Sequence, residues 1–190
     1  MMYDYRFFYV PMSAREKHIE DDINNAIKQL EEAYPTKIEW CVDSFAAPDS
    51  NKFMLTYRLL SDEDEREPGD SFDSCKVKVV KGSQDMKITE KLLNEALSEL
   101  DGGNNKFYHL YHPSEFIYII LYSEDDNNYI SRVKIIPNPV SPNQGNISTT
   151  NIFATLLPEQ LDENWSQGDI YISCIKSLDK NNMIVYINLD

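Results

Sequence analysis

Residues 116–122, FIYIILY, carry no charged or amide side chain at any position. Successive side chains of a strand point to opposite faces, so a run this short that is apolar throughout has no face to give to water. It belongs at the centre of a sheet, and the rest of the chain has to supply its neighbours and its cover.

The remaining segments supply strands with one wet face. In residues 3–10, Tyr3, Tyr5, Phe7 and Tyr9 fall on one side, and Pro11 ends the run. Ile38, Trp40 and Val42 alternate with Glu39, Cys41 and Asp43. Phe53, Leu55, Tyr57 and Leu59 share a face of residues 52–60, so these two segments are expected to pair antiparallel. Cys75, Val77 and Val79 alternate with Lys76 and Lys78. Residues 106–111, 129–136, 170–176 and 183–189 complete the set. The EDDNN stretch predicts a hairpin between 116–122 and 129–136, and residues 179–182 predict another between the last two strands.

Two segments have helical spacing instead. Ile19, Ile23, Ile27, Leu30 and Tyr34 make one stripe, with Glu16, Glu20, Asp21, Asn24, Lys28 and Glu31 largely away from it. Ser13 and Glu16 have capping-box spacing, and Pro35 stops the segment, which predicts a helix over 13–34. Leu92, Leu93, Ala96, Leu97 and Leu100 predict a second over 89–101, with Thr89 as its cap and Gly102 beyond its end.

The expected fold is α+β: a mixed, mainly antiparallel sheet with two principal helices packed on it. Ile23, Ile27, Leu30, Trp40, Leu55, Val77, Leu97, Ile119 and Val185 are the expected core. Residues 1–190 read as a single domain, and a division into two lobes, if present, falls near 61–74. The element order β-α-β-β opens both halves of the first 136 residues, but no residue-level self-similarity stands out to support a duplication.

Motifs that carry chemistry are missing. The six glycines form neither a P-loop nor a G-x-G-x-x-G turn. His109, His112 and Glu115 would share a face of a helix, but their segment reads as a strand, where residues three apart diverge. Cys41, Cys75 and Cys174 are scattered and lack disulfide or zinc spacing, and the two in strand patterns read as core thiols. No metal and no cofactor are expected. No signal peptide and no apolar run of 18 residues occur, so an intracellular protein of cytoplasm or nucleus is expected, away from membranes. The net charge of −14 disfavours binding to nucleic acid.

The most individual segment is SDEDEREPGDSFDS, residues 61–74, where Asp62, Glu63, Asp64, Glu65, Glu67 and Asp70 surround a single Arg66. It reads either as a solvated connector or as a docking surface for a basic partner. With the tyrosines of the first strand, Tyr3 and Tyr5, it points to a non-catalytic protein-binding module: a complex subunit, an adaptor or a neutralising inhibitor. Two other readings remain at this stage. One is an acidic mimic of nucleic acid from a mobile element that blocks a DNA-binding enzyme. The other is a small hydrolase or transferase with a site near His109 and His112. A self-repelling acidic segment contributes little to stability. Neutralising Asp62, Glu63, Asp64 and Glu65 together should shift the unfolding free energy by no more than about 0.5 kcal/mol in a denaturant titration.

Overall fold

The structure is a computed structural model that describes residues 3–35, 37–41, 51–61, 75–101, 105–124, 130–137, 170–179 and 181–189. In chain order it runs β1 (Tyr3–Tyr9), α1 (Glu16–Ala33), β2 (Ile38–Cys41), β3 (Lys52–Leu59), β4 (Cys75–Lys81), α2 (Met86–Asp101), β5 (Asn105–Ser114), β6 (Ile117–Glu124), β7 (Ile130–Pro137), β8 (Ile170–Ser177) and β9 (Asn182–Leu189). The fold is α+β, and every pairing among the described residues is antiparallel. The sequence predicts a single sheet, but the strands do not share one. They form three sheets of three strands, ordered β1-β3-β2, β4-β6-β5 and β7-β9-β8. The chain groups into two compact units, residues 1–127 and 128–190. Among the described residues, no helix is long and apolar enough to cross a membrane.

The run apolar on both faces is the middle strand of its sheet. β6 lies between β4 and β5, and Ile117, Tyr118, Ile119, Ile120 and Leu121 are all buried. The EDDNN stretch does not close a hairpin, because β6 and β7 are in different sheets and β7 pairs with β9. The hairpin from β8 to β9 is present. The Asp179 carboxylate accepts from the backbone N–H groups of Asn181 and Asn182, which holds the turn.

The helix starts also differ from expectation. α1 begins at Glu16, with Arg15 as its N-cap and no capping side chain. Ser13 lies in the preceding turn rather than at the cap, where Ala14 N–H donates to the Pro11 carbonyl. α2 begins at Met86, and Asp85 accepts from Lys87 N–H at its start. Thr89 is therefore inside the helix, fully buried. Its hydroxyl accepts from Ser83 N–H and donates to the Ser83 carbonyl.

All three sheets share one plan: the first strand of each pairs with the third, and the second pairs with the other edge of the third. The equivalence extends to single residues. Val10 N–H donates to the Asn51 carbonyl beside the first sheet, and Gly82 N–H donates to the Phe116 carbonyl at the matching place beside the second. β5 is bulged between Phe107 and His109, opposite Tyr122 and Leu121. β8 is bulged between Ile172 and Cys174, opposite Ile187 and Tyr186, at the same distance from the end of its central strand. β4 reads CKVKVVK, and Ser131–Pro137 of β7 reads SRVKIIP with the same alternation of buried and half-buried positions. In α1, Ile19, Glu20, Ile23, Asn24, Ala26, Ile27 and Leu30 match Thr89, Glu90, Leu93, Asn94, Ala96, Leu97 and Leu100 of α2. A residue-level repeat is present after all. It consists of a short strand pattern and a helix pattern that carries polar as well as apolar positions.

Within residues 1–127, one cluster joins α1 to two sheets. Ile19, Ile23 and Ile27 pack with Phe53 and Leu55 of β3, with Cys75, Val77 and Val79 of β4, and with Ile117, Ile119 and Leu121 of β6. Leu30 and Trp40, expected in the core, are only half-buried, with Trp40 packed at the cluster's margin. Gly82 lies where the chain passes α2, and a Cβ there would meet the Tyr118 ring at 2.6 Å and the Thr89 hydroxyl at 2.9 Å. The second sheet is thus covered on one face by α1, and its other face, through Tyr118, meets Thr89 of α2. Ile27 is only 2% exposed at the centre of this arrangement. Replacing it with Ala should cost roughly 2–5 kcal/mol in chemical denaturation, and a loss below about 0.5 kcal/mol would remove this stripe from the core.

Candidate docking surface

A three-stranded sheet has two edges, and each edge strand turns a row of N–H and C=O groups away from its partner. On β4 that row is occupied by side chains of α1. The Asn24 amide oxygen accepts from Val77 N–H at 2.8 Å, and its Nδ2 donates to the Val77 carbonyl at 2.9 Å. The Glu20 carboxylate accepts from Val79 N–H at 2.9 Å, and Glu31 accepts from Cys75 N–H at 3.0 Å. Four helical residues rise about 6 Å, and two strand residues advance about 6.6 Å. Glu20 and Asn24 therefore meet Val79 and Val77 in step, with helix and strand running in opposite directions. Glu31 is a further seven positions along and also accepts from the Trp40 indole at 3.0 Å, so it ties β2 to the same corner. Glu20, Asn24 and Glu31 were expected on the solvent side of the helix. They hold it to the sheet instead, while Ile19, Ile23 and Ile27 cover the side chains of the same strand.

β1 is the counterpart of β4 in the first sheet and carries the same edge. Val10 N–H points to Asn51 of the neighbouring chain segment, so the residues directed at β3 are the even-numbered ones. Tyr3, Tyr5, Phe7 and Tyr9 turn their N–H and C=O groups outward, as Cys75, Val77 and Val79 do on β4. Among the described residues, no helix lies on this edge. The side chains of Tyr5, Phe7 and Tyr9 stand on the matching face at 58%, 58% and 71% exposure, where Cys75, Val77 and Val79 are buried. The Tyr5 and Phe7 rings meet edge to face with centroids 5.1 Å apart. Met54, Thr56 and Arg58 of β3 continue the surface, half-buried, and Arg58 is paired with Glu39 of β2. On the opposite face, Phe8 packs against Phe53, and Phe53 against Tyr111 of the second sheet. The strand is therefore anchored on its inner side, while on its outer edge the only side-chain partner among the described residues is the Asp4 carboxylate, which accepts a long 3.3 Å bond from the Tyr5 N–H.

Of the residues expected to bind a partner, Tyr5 lies on this surface and Tyr3 is in the same strand. Asp62, Glu63, Asp64, Glu65, Glu67 and Asp70 lie outside the described residues. His109 and His112 are on β5. The His112 ring stacks on Tyr118 with centroids 4.4 Å apart, its Nε2 is 3.1 Å from the Glu115 carbonyl oxygen, and the His109 ring packs edge-on against Tyr111. The His112 Nδ1 is buried without a hydrogen-bond partner, and among the described residues no three His, Cys, Asp or Glu side chains converge. Cys75 is buried at the α1 corner, where burial first, and then the Glu31 carboxylate, push its thiol well above the ordinary range. Burial and a raised thiol are the surroundings of a core cysteine.

No protein family, no curated protein and no solved structure matches the chain. Asn24 alone satisfies two backbone groups of Val77 in a partly buried setting. Asn24→Ala should therefore destabilise the fold by about 1–3 kcal/mol. The neighbouring exposed Asn25→Ala should stay within about 0.5 kcal/mol in the same urea titration. Equal effects of the two substitutions would mean that the polar clasp adds nothing to the apolar contacts beneath it.

Proposed function

We propose that the chain is a non-catalytic protein-binding module and that it docks its partner on the outer face of β1. The observation that carries this reading is the row of Tyr5, Phe7 and Tyr9, exposed together on an edge strand. Contiguous aromatic surface on an open edge invites aggregation unless a partner covers it. Tyr and Phe are also residues that recur at interface centres, where each supplies a large contact area at little cost in side-chain entropy. The acidic segment 61–74 adds a steering role, drawing a partner with basic surface toward the module through long-range attraction. A complex subunit, an adaptor and a neutralising inhibitor all fit this description.

The test uses the partner recovered with the intact chain from its native source. Because the three side chains are exposed, the triple substitution Tyr5→Ser, Phe7→Ser, Tyr9→Ser should leave the thermal midpoint within a few degrees of the parent. It should weaken partner binding by about 100-fold or more, as loss of interface anchors does. Binding unchanged by the triple substitution would move the interface elsewhere on the chain.

A further inference from the structure

We propose that the β1 edge takes an amphipathic α-helix of a partner protein, seated as α1 is seated on β4. On this view the helix presents small apolar residues one turn apart, with a glutamate and an asparagine directly after the first two. The proposal deepens the reading of β1 as the docking strand and rests on it.

The occupied edge specifies the occupant of the equivalent edge. β1 and β4 have the same place in their sheets, and their outward-facing backbone groups fall on matching residues. On β4, one helix does two things at once. Its Glu20 and Asn24 satisfy the edge, and its Ile19, Ile23 and Ile27 cover the side chains beside that edge. An extended peptide added to β1 would pair with the backbone row but leave the rings of Tyr5, Phe7 and Tyr9 in water. A helix lying along the corner covers both. The combination recurs in the chain, since Glu90 and Asn94 follow the buried Thr89 and Leu93 of α2 as Glu20 and Asn24 follow Ile19 and Ile23. In a stacked repeat, a terminal face normally ends in polar residues that cap it. This one ends in three exposed aromatic rings, which suits continuation of the stack by another molecule.

Two features define the chemistry of the partner helix. Tyr5, Phe7 and Tyr9 are much bulkier than Cys75, Val77 and Val79, so residues at the places of Ile19, Ile23 and Ile27 have to be small for the helix to reach the backbone. The outward N–H groups call for carboxylate or amide oxygens at four-residue spacing, which matches the advance of two strand residues. A second copy of the chain does not offer such a helix through α1, because α1 is held on β4.

The probe is a set of helix-stabilised 20-residue peptides on the α1 framework. Positions 19, 23 and 27 vary among Gly, Ala, Ser, Val and Leu, and Glu20 and Asn24 are kept. The target is the full chain with isotope-labelled backbone. The expected result is at least one peptide with small residues at the varied positions that slows amide exchange of Tyr5, Phe7 and Tyr9 while Cys75, Val77 and Val79 stay as they were. Glu20→Ala with Asn24→Ala in that peptide should weaken binding at least 10-fold. The inference is overturned if no peptide perturbs β1, or if binding ignores the two polar positions. It is also overturned if the natural partner's bound segment is extended, or if β1 pairs with β1 of a second copy. Should the triple aromatic substitution abolish partner binding while any of these holds, the docking reading stands and only the helix assignment fails.

Discussion

Backbone N–H and C=O groups along a sheet edge have to be satisfied by a strand, by water or by something that imitates a strand. On β4 the imitation is a helix, with Asn24 taking both groups of Val77 and Glu20 and Glu31 taking the N–H groups on either side. This clasp is what lets one helix serve two sheets. The same turn of α1 that offers Asn24 to the edge offers Ile23 and Ile27 to a core shared by β3, β4 and β6. Removing the polar row would leave an apolar helix with no reason to lie at the corner rather than across the face. On β4 the arrangement also blocks a fourth strand, because the edge where one would pair is taken by the helix.

Much of this was legible from side-chain periodicity. The apolar run 116–122 became a central strand because alternation leaves such a run no wet face. Phe53 and Leu55 are buried on the side predicted for them, and Ile23 and Ile27 lie in the core. Pairing across the chain was less legible. The EDDNN stretch has the composition of a hairpin turn, but composition does not say which strand comes next to which, and β7 found β9. Local capping chemistry misled at Ser13 and Thr89: Ser13 lies in the turn before α1, and Thr89 is inside α2 with its hydroxyl engaged by Ser83, while Asp85 caps the helix start.

The polar residues of α1 were the least legible. Glu20 and Asn24 flank an apolar stripe, and a flanking carboxylate or amide looks the same whether it faces water or a strand edge. Their signal was relational: a Glu and an Asn one residue after successive core positions, repeated as Glu90 and Asn94. Apolar spacing alone does not bring that repeat out. The aromatic row of β1 was visible from the start, but its exposure was not, since Tyr5, Phe7 and Tyr9 could equally have faced a core. The β1–β3 register shows which edge they occupy, and their exposure shows which face.

The account depends on two chemically similar edges in one chain, of which one is closed by side chains and the other is open. Native-state hydrogen exchange resolved to single amides measures this directly. The amides of Val77 and Val79 should exchange orders of magnitude more slowly than those of Phe7 and Tyr9 in the isolated chain, although all four point away from their sheets. Comparable exchange rates at the two edges would contradict it, because either the clasp would not close β4 or the outer edge of β1 would already be covered.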